Sequence, residues 1–220
     1  MYSDTLQKEI VEIVERIKSR KEHENAGATF RDVPDLKRLD ELFTNNLDND
    51  EDSLILAAMG YKYLADEYTS LTRMSIAGGY LEKVLKLKIR LLKEFKNEKA
   101  IEGSESVLSN LLRNRNFFVD DDCLDILELV KGSGLIGDDK IDEIYQSRMK
   151  SRRTFNNDPV EMTPEYLAVI DEVEEKIAKN KKLKGMGSCF EEWELKTEYL
   201  AEKGIIWKSP SMLNRGIMFD

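Results

Sequence analysis

The stretch that decides the fold runs from Ser53 to Phe95 and reads SLILAAMGYKYLADEYTSLTRMSIAGGYLEKVLKLKIRLLKEF. It is the part of the chain richest in apolar and helix-forming residues, and its pattern breaks near residues 70–74. On both sides of the break, apolar residues recur at spacings of three and four, which is typical of amphipathic helices. The stretch therefore predicts a pair of helices, with the rest of the chain arranged to cover them.

The two predicted helices differ in the width of their apolar faces. The first carries small residues that allow another helix to approach closely: Ala57, Ala58, Gly60 and Ala65. The second carries two adjacent apolar rows, which predict contacts on two sides. Its cations are expected to reach outward into solvent; they are Lys83, Lys86, Lys88, Arg90 and Lys93.

Six residues of this hairpin stand at the spacing of a known repeat: Tyr61, Leu64, Ala65, Tyr68, Ala77 and Leu81. Over residues 58–91 the pattern resembles one tetratricopeptide repeat, a family that pairs two antiparallel helices in about 34 residues. Leu81 replaces the usual aromatic residue, and Ile89 replaces the usual helix-ending proline, so the second helix is expected to continue past its normal end. The flanking segments contain no second good copy.

Helical patterns along the whole chain, with no strand pattern among them, predict an all-α fold of about eight to nine helices. The resemblance implies that these helices stack as antiparallel hairpins in a right-handed array. It also implies a non-enzymatic adaptor or regulator that binds a protein or peptide on a concave surface. In that family the first helix of each repeat lines this surface. The candidate peptide-binding residues are therefore Lys62, Asp66, Glu67 and Thr69.

Residues 151–158, followed by Pro159, form the best candidate linker. They separate a predicted helical domain, residues 1–155, from a C-terminal helical hairpin, residues 160–220. Thr163-Pro164 predicts the start of the first helix of this hairpin. The tail Ile205–Asp220 is so apolar that we expect it to dock on helices or on a second subunit.

Composition narrows the classes of protein that fit. The chain has 220 residues, of which 41% are hydrophobic and 35% charged, and no apolar run approaches the roughly 18 residues of a membrane span. The first residues lack a secretion signal, which favours a cytoplasmic protein with reduced Cys123 and Cys189. The net charge of −9 argues against broad binding of nucleic-acid phosphates.

No metal, cofactor or catalytic site emerges from the pattern. The series Asp48-x-Asp50-x-Asp52 resembles a calcium loop, but Ser53 and Met59 replace the required Gly and Glu. We interpret it as an acidic connector in which Asp52 or Ser53 caps the next helix. The acidic residues 120–122 are interpreted as a helix start in the same way.

Four further features have both a functional and a structural interpretation. His23, the only histidine, is assigned to a polar loop, and a single histidine argues against a catalytic triad. Cys189 stands near a predicted helix start, where a thiol can become reactive, but its neighbours Phe190 and Trp193 favour a buried structural cysteine. An anion site is one interpretation of the glycines at 185 and 187, but a plain turn between helices explains them. Nucleic-acid binding is one interpretation of the basic clusters at 148–153 and 179–184, but cations at helix ends explain them.

Two alternatives to a binding module remain open. One is a helical enzyme that uses Cys189 or acidic residues. The other is a homo-oligomeric structural protein assembled through its C-terminal tail.

Overall fold

The computed structural model describes residues 4–24, 27–115, 123–150, 156–180, 188–215 and 217. About 80% of these residues are helical and none form a strand, so the prediction of an all-α fold is confirmed. They fall into two compact units: the described residues up to Lys150 form unit 1, and those from Asn156 onward form unit 2. No described helix is both long and apolar enough to cross a membrane.

Unit 1 contains α1 (Asp4–Glu24), α2 (Val33–Asn45), α3 (Glu51–Ser70), α4 (Met74–Phe95), α5 (Ser104–Arg115), α6 (Leu124–Val130) and α7 (Asp138–Lys150). Unit 2 contains α8 (Pro164–Ala178), α9 (Ser188–Glu202) and α10 (Pro210–Leu213). Short 3-10 turns at Phe30–Asp32, Glu98–Ile101 and Pro159–Met162 precede α2, α5 and α8. The described residues thus form ten α-helices, because the tail contains a one-turn helix that its sequence did not predict.

The α3–α4 hairpin is the centre of unit 1, and these two helices share the most extensive packing. The N-cap of α3 is Asp50, whose side chain accepts a hydrogen bond from Ser53 N at 3.0 Å. The expectation that Asp52 or Ser53 would cap this helix was therefore wrong, because both lie inside its first turn. At the other end, α4 continues past Ile89 to Phe95, as the missing proline predicted.

Aromatic rings join α2, α3 and α4. Tyr80 of α4 stacks on Tyr61 and Tyr68 of α3, with ring centroids 5.8 and 5.6 Å apart. Phe43 of α2 meets Tyr61 edge-on at 6.1 Å. The Phe43 ring lies so close to Gly60 that a Cβ atom at that position would be 2.3 Å from it. A glycine therefore allows α2 and α3 to approach closely.

Helices next to each other in the chain are also packed against each other through most of unit 1. Contacts join α1 to α2, α2 to α3, α3 to α4 and α4 to α5, and α5 packs further against α7. The apolar residues that line these contacts form one continuous core.

Unit 2 has a smaller core, made by Tyr166, Ile170, Val173, Leu200, Ile205 and Trp207. Thr163 caps α8 as predicted, because its hydroxyl accepts a hydrogen bond from Tyr166 N at 3.3 Å. In the tail, the Trp207 side chain is 3% exposed, whereas its neighbour Ile206 is 86% exposed.

The assignment of His23 was also wrong, and several others lie outside the described residues. His23 belongs to the last turn of α1, not to a loop, because the helix continues to Glu24. The acidic residues 120–122, the glycine turn with the lysines at 181–184, and most of the linker at 151–155 are not among the described residues.

Candidate binding groove

An open groove with a volume of about 730 Å³ lies on unit 1. One wall is a stripe of α3 residues at the spacing of successive helical turns: Ile55, Ala58, Met59, Lys62, Tyr63 and Asp66. From Ile55 to Asp66 the helix rises by about 16 Å. The stripe therefore gives the groove a wall three turns long.

The other side of the groove comes from α4 and from the segment that follows it. Val84, Lys88 and Leu91 lie on one face of α4. Opposite α3 are residues of the 3-10 turn and the start of α5: Asn97, Lys99, Ala100, Glu102, Gly103, Ser106 and Val107. Because Val84 and Leu91 are buried, apolar groups dominate the deeper part, and charged groups stand at intervals around it.

Lys88 holds the far wall in place. Its Nζ atom donates hydrogen bonds to the carbonyl oxygens of Ala100 at 2.9 Å and Glu102 at 2.8 Å. The side chain is half-buried, and this desolvation lowers the pKa of its ammonium group despite the nearby Glu102 charge. The expectation that Lys88 would reach outward into solvent was wrong, since backbone carbonyl groups lie within its reach.

Further polar contacts fix the turn between α4 and α5. The Asn97 amide donates to Glu51 Oε1 at 2.7 Å, and its oxygen accepts from Lys99 N at 3.0 Å. The hydroxyl of Ser104 donates to Ala100 O at 2.8 Å, and Gly103 adopts a φ of +71°, which favours glycine. The wall is therefore anchored to both helices of the hairpin.

The structure separates the four candidate peptide-binding residues. Lys62 and Asp66 both line the groove, where Lys62 Nζ pairs with Asp66 at 2.6 Å. Glu67 is instead buried in an ion pair with Lys21 of α1 at 2.9 Å. The Thr69 hydroxyl donates to the Ala65 carbonyl oxygen of its own helix at 2.7 Å. Glu67 and Thr69 thus have internal partners and do not line this groove.

Tyr63 lies between the groove and the buried Glu67. Burial, reinforced by the Glu67 carboxylate, raises the pKa of the Tyr63 hydroxyl further above its ordinary value of 10.0. Its oxygen is shielded from solvent. Tyr63 therefore offers the groove an aromatic surface and not a charge.

Met59 is the groove residue that the sequence patterns missed. Its side chain is 65% exposed in the middle of an otherwise apolar helix, between the buried residues Ala58 and Gly60. Met59 lies in a part of α3 where nearly every residue is apolar, so the sequence pattern did not indicate which of these residues would be exposed. The residues from α5 carried no sequence signal, because their proximity to α3 depends on tertiary packing.

Unit 2 has a second, smaller cavity of about 500 Å³. Aromatic and polar residues line it: Phe190, Trp193, Glu194, Thr197, Glu198, Ser209, Ser211 and Met212. Cys189 is partly buried near the start of α9 and is not among the lining residues. Among the described residues of both units, no cluster of His, Cys, Asp and Glu side chains could hold a metal ion.

Comparisons with known proteins add no further indication of function. No protein-family model matches the chain, and no match is found among curated proteins or solved structures. Function is therefore inferred from the groove itself.

Proposed function

We propose that unit 1 is a non-enzymatic binding module whose groove holds a segment of another protein. The single observation that carries the proposal is an open, mostly apolar groove on a firmly packed hairpin, with Met59 exposed at its wall. Exposed apolar surface with charged groups around it is typical of protein-interaction sites. Methionine is common at binding surfaces that adapt to their partners.

The arrangement of helices supports a tetratricopeptide-like interpretation of unit 1. In such an array the first helix of a repeat and the first helix of the next repeat form adjacent parts of one concave surface. Here α3 and α5 stand on either side of α4 and both contribute to the groove. This supports α3–α4 as one repeat and α5 as the first helix of the next.

The dimensions of the groove fit a short peptide segment. Its volume lies within the range of about 300 to 1,000 Å³ typical of ligand sites, while its open form gives a chain room to enter and leave. Three turns of α3 offer contact points at regular intervals, which successive side chains of a peptide can meet. Cys123 and Cys189 are not joined in a disulfide, which fits a reducing compartment and supports a cytoplasmic location.

Selection of peptides from a random display library against the full chain tests this function. The matched variants are Met59→Glu, which places a charge in the groove, and Val11→Glu, which places the same charge on α1. Val11 is 53% exposed and lies outside the groove, so it controls for a general effect of charge. Circular dichroism establishes that both variants stay folded.

We expect Met59→Glu to weaken the selected peptides at least tenfold and Val11→Glu to leave their affinity within twofold. Burying an uncompensated carboxylate against apolar surface is the physical reason for the loss. Equal binding by both variants, or a selection that yields no specific peptide, would overturn the proposal.

A further inference from the structure

We infer that the peptide held by the groove carries an acidic side chain next to apolar ones, with its carboxylate directed to Lys88. This inference rests on the proposed function and adds the chemistry of the partner. Two independent observations lead to it: the hydrogen bonding of the Lys88 ammonium group, and the balance of charge around the groove.

Among the described residues, no carboxylate accepts a hydrogen bond from the Lys88 ammonium group, although the Glu102 charge lies close enough to favour its protonated form. The two direct contacts of the ammonium group are neutral carbonyl oxygens, and Glu102 contributes its backbone and not its side chain to them. An ammonium group can donate three hydrogen bonds, so one donor remains for a ligand. Because Lys88 is half-buried, its positive charge is less screened by water than a surface charge.

The charge of the groove differs in sign from that of the chain. Its lining contains three lysines, Lys62, Lys88 and Lys99, and two acids, Asp66 and Glu102, which gives 3 − 2 = +1. The whole chain has a net charge of −9. Lys62 and Asp66 largely neutralise each other through their ion pair, so the excess positive charge lies on the side of Lys88 and Lys99.

Apolar and positive surfaces together select an acidic, apolar partner. The exposed Met59 and the half-buried Ile55 and Tyr63 offer contact to apolar side chains, and Lys88 lines the same groove. A purely apolar segment would remove water from the Lys88 ammonium group and leave its third donor without a partner, and a basic segment would meet repulsion. A carboxylate that accepts a hydrogen bond from the third Lys88 donor is bound in preference to a neutral group, so the Lys88 charge gives specificity.

The test compares each selected peptide with a copy in which Asp and Glu are replaced by Asn and Gln. For the wild-type chain we expect the amide copies to bind about tenfold more weakly, the effect of one charge-assisted hydrogen bond. Lys88→Met should reduce this difference to less than threefold. Lys88→Arg, which keeps the charge, should retain it.

Lys93→Met is the matched control, because Lys93 is exposed on the same helix and does not line the groove. It removes one positive charge from α4 and should leave the tenfold difference unchanged. Since Lys88 also holds the wall of the groove, thermal unfolding is measured for every variant. If Lys88→Met loses its fold, the wild-type comparison and Lys88→Arg decide the question.

The outcomes separate this inference from the function on which it rests. Peptides that bind in a Met59-dependent manner without preference for carboxylates would overturn the acidic partner and leave the binding function intact. A loss of the carboxylate preference in Lys93→Met would overturn the role of Lys88. Light scattering that shows a dimer dissolved by Met59→Glu would identify a second copy of the chain as the occupant and also overturn it.

Discussion

The two helical hairpins, α3–α4 in unit 1 and α8–α9 in unit 2, are held together in different ways. In α3–α4, helix packs directly on helix through small residues and stacked tyrosines, and helices on both sides add to one large core. In α8–α9, the buried core is small and takes two of its members, Ile205 and Trp207, from the tail that follows α9.

Polar contacts add to the difference between the hairpins. Trp207 donates its indole N–H to Glu161 at 2.7 Å, and the Lys208 backbone N–H donates to Asp158 at 2.7 Å. The side chain of Lys196 lies 4.8 Å above the Trp207 ring. Unit 2 thus depends on a few residues of an irregular segment, whereas unit 1 distributes its stability over many. The groove is located on the more extensively packed hairpin.

The largest expected effect is that of Trp207→Ala on unit 2. Removal of a fully buried tryptophan lowers the free energy of unfolding by about 3 to 5 kcal/mol, and here it also leaves the Glu161 carboxylate without its indole donor. Both tryptophans of the chain lie in unit 2, so the fluorescence of the remaining Trp193 reports its unfolding.

Ile206→Ala is the control for this substitution. Ile206 is the adjacent residue and is 86% exposed, so its change should stay within about 0.5 kcal/mol. Similar losses for the two variants would contradict the role assigned to Trp207.

A smaller effect is expected for Gly60→Ala in unit 1. The new methyl group would overlap the Phe43 ring, which is 2% exposed and has little room to move. Overpacking of this kind costs about 1 to 3 kcal/mol. Hydrogen exchange of the α3 amides should increase, while exchange in α8 stays unchanged.

Gly79→Ala is the matched control, because the same substitution is expected to raise the stability of unit 1 instead of lowering it. Gly79 lies in α4 and is exposed, and a methyl group added to it would have no neighbouring atom within 4 Å. Alanine there should stabilise the helix by about 0.5 to 1 kcal/mol. If the α3 amides of Gly60→Ala exchange their hydrogens more slowly than those of the wild-type chain, α2 and α3 do not approach as described.

The two units should also respond to pH in opposite directions. Burial raises the pKa of Glu161 in unit 2, against the weaker opposing effects of Lys196 and Trp207. A raised folded-state pKa stabilises the fold below the ordinary value of 4.5, and this contribution is lost as pH rises through the folded-state pKa. As pH rises from below 4.5, the stability of unit 2, followed by tryptophan fluorescence, should therefore decline less in Glu161→Gln than in the wild-type chain.

Asp35 in unit 1 provides the reverse case. Although burial opposes the effect, hydrogen bonds from Arg16 and Arg20 lower the pKa of Asp35 below its usual 3.8. The stabilisation is present above 3.8 and is lost as pH falls through the lowered value. Asp35→Asn should thus reduce the loss of unit 1 stability in acid, measured by hydrogen exchange of α2. A common pH trend in the two variants would contradict this assignment.

The smallest loss of stability should come from Thr163→Ala, which removes the cap of α8. Loss of an N-cap hydroxyl costs about 1 kcal/mol. Thr163→Ser keeps the hydroxyl and should retain most of the stability in a denaturant titration followed by tryptophan fluorescence. If serine and alanine at this position are equally destabilising, the cap makes no contribution.

Local patterns were sufficient to predict much of the helical fold. The spacing of Tyr61 and Tyr68 and the break near residue 72 gave the two central helices, and Thr163-Pro164 gave the start of α8. The cap of α3 was misplaced because several acidic residues in a row compete for that position. His23 was misplaced because polar residues continue a helix as readily as they form a loop.

The groove could be predicted only in part. The resemblance nominated four polar residues of α3 as peptide-binding; Lys62 and Asp66 line the groove, whereas Glu67 and Thr69 bond to other parts of unit 1. Lys88 was assigned to solvent because its carbonyl partners come 12 and 14 residues later in the chain. Contacts of this kind depend on how helices pack, which helix periodicity alone does not determine.

The most direct test of the binding function is methyl NMR of the full chain titrated with the tightest selected peptide. The groove should respond first, through the methyl groups of Ala58, Met59, Val84 and Val107, while those of Ile170 and Val173 in unit 2 stay unchanged. Shifts confined to unit 2, or distributed evenly over both units, would contradict a binding site between α3 and α5.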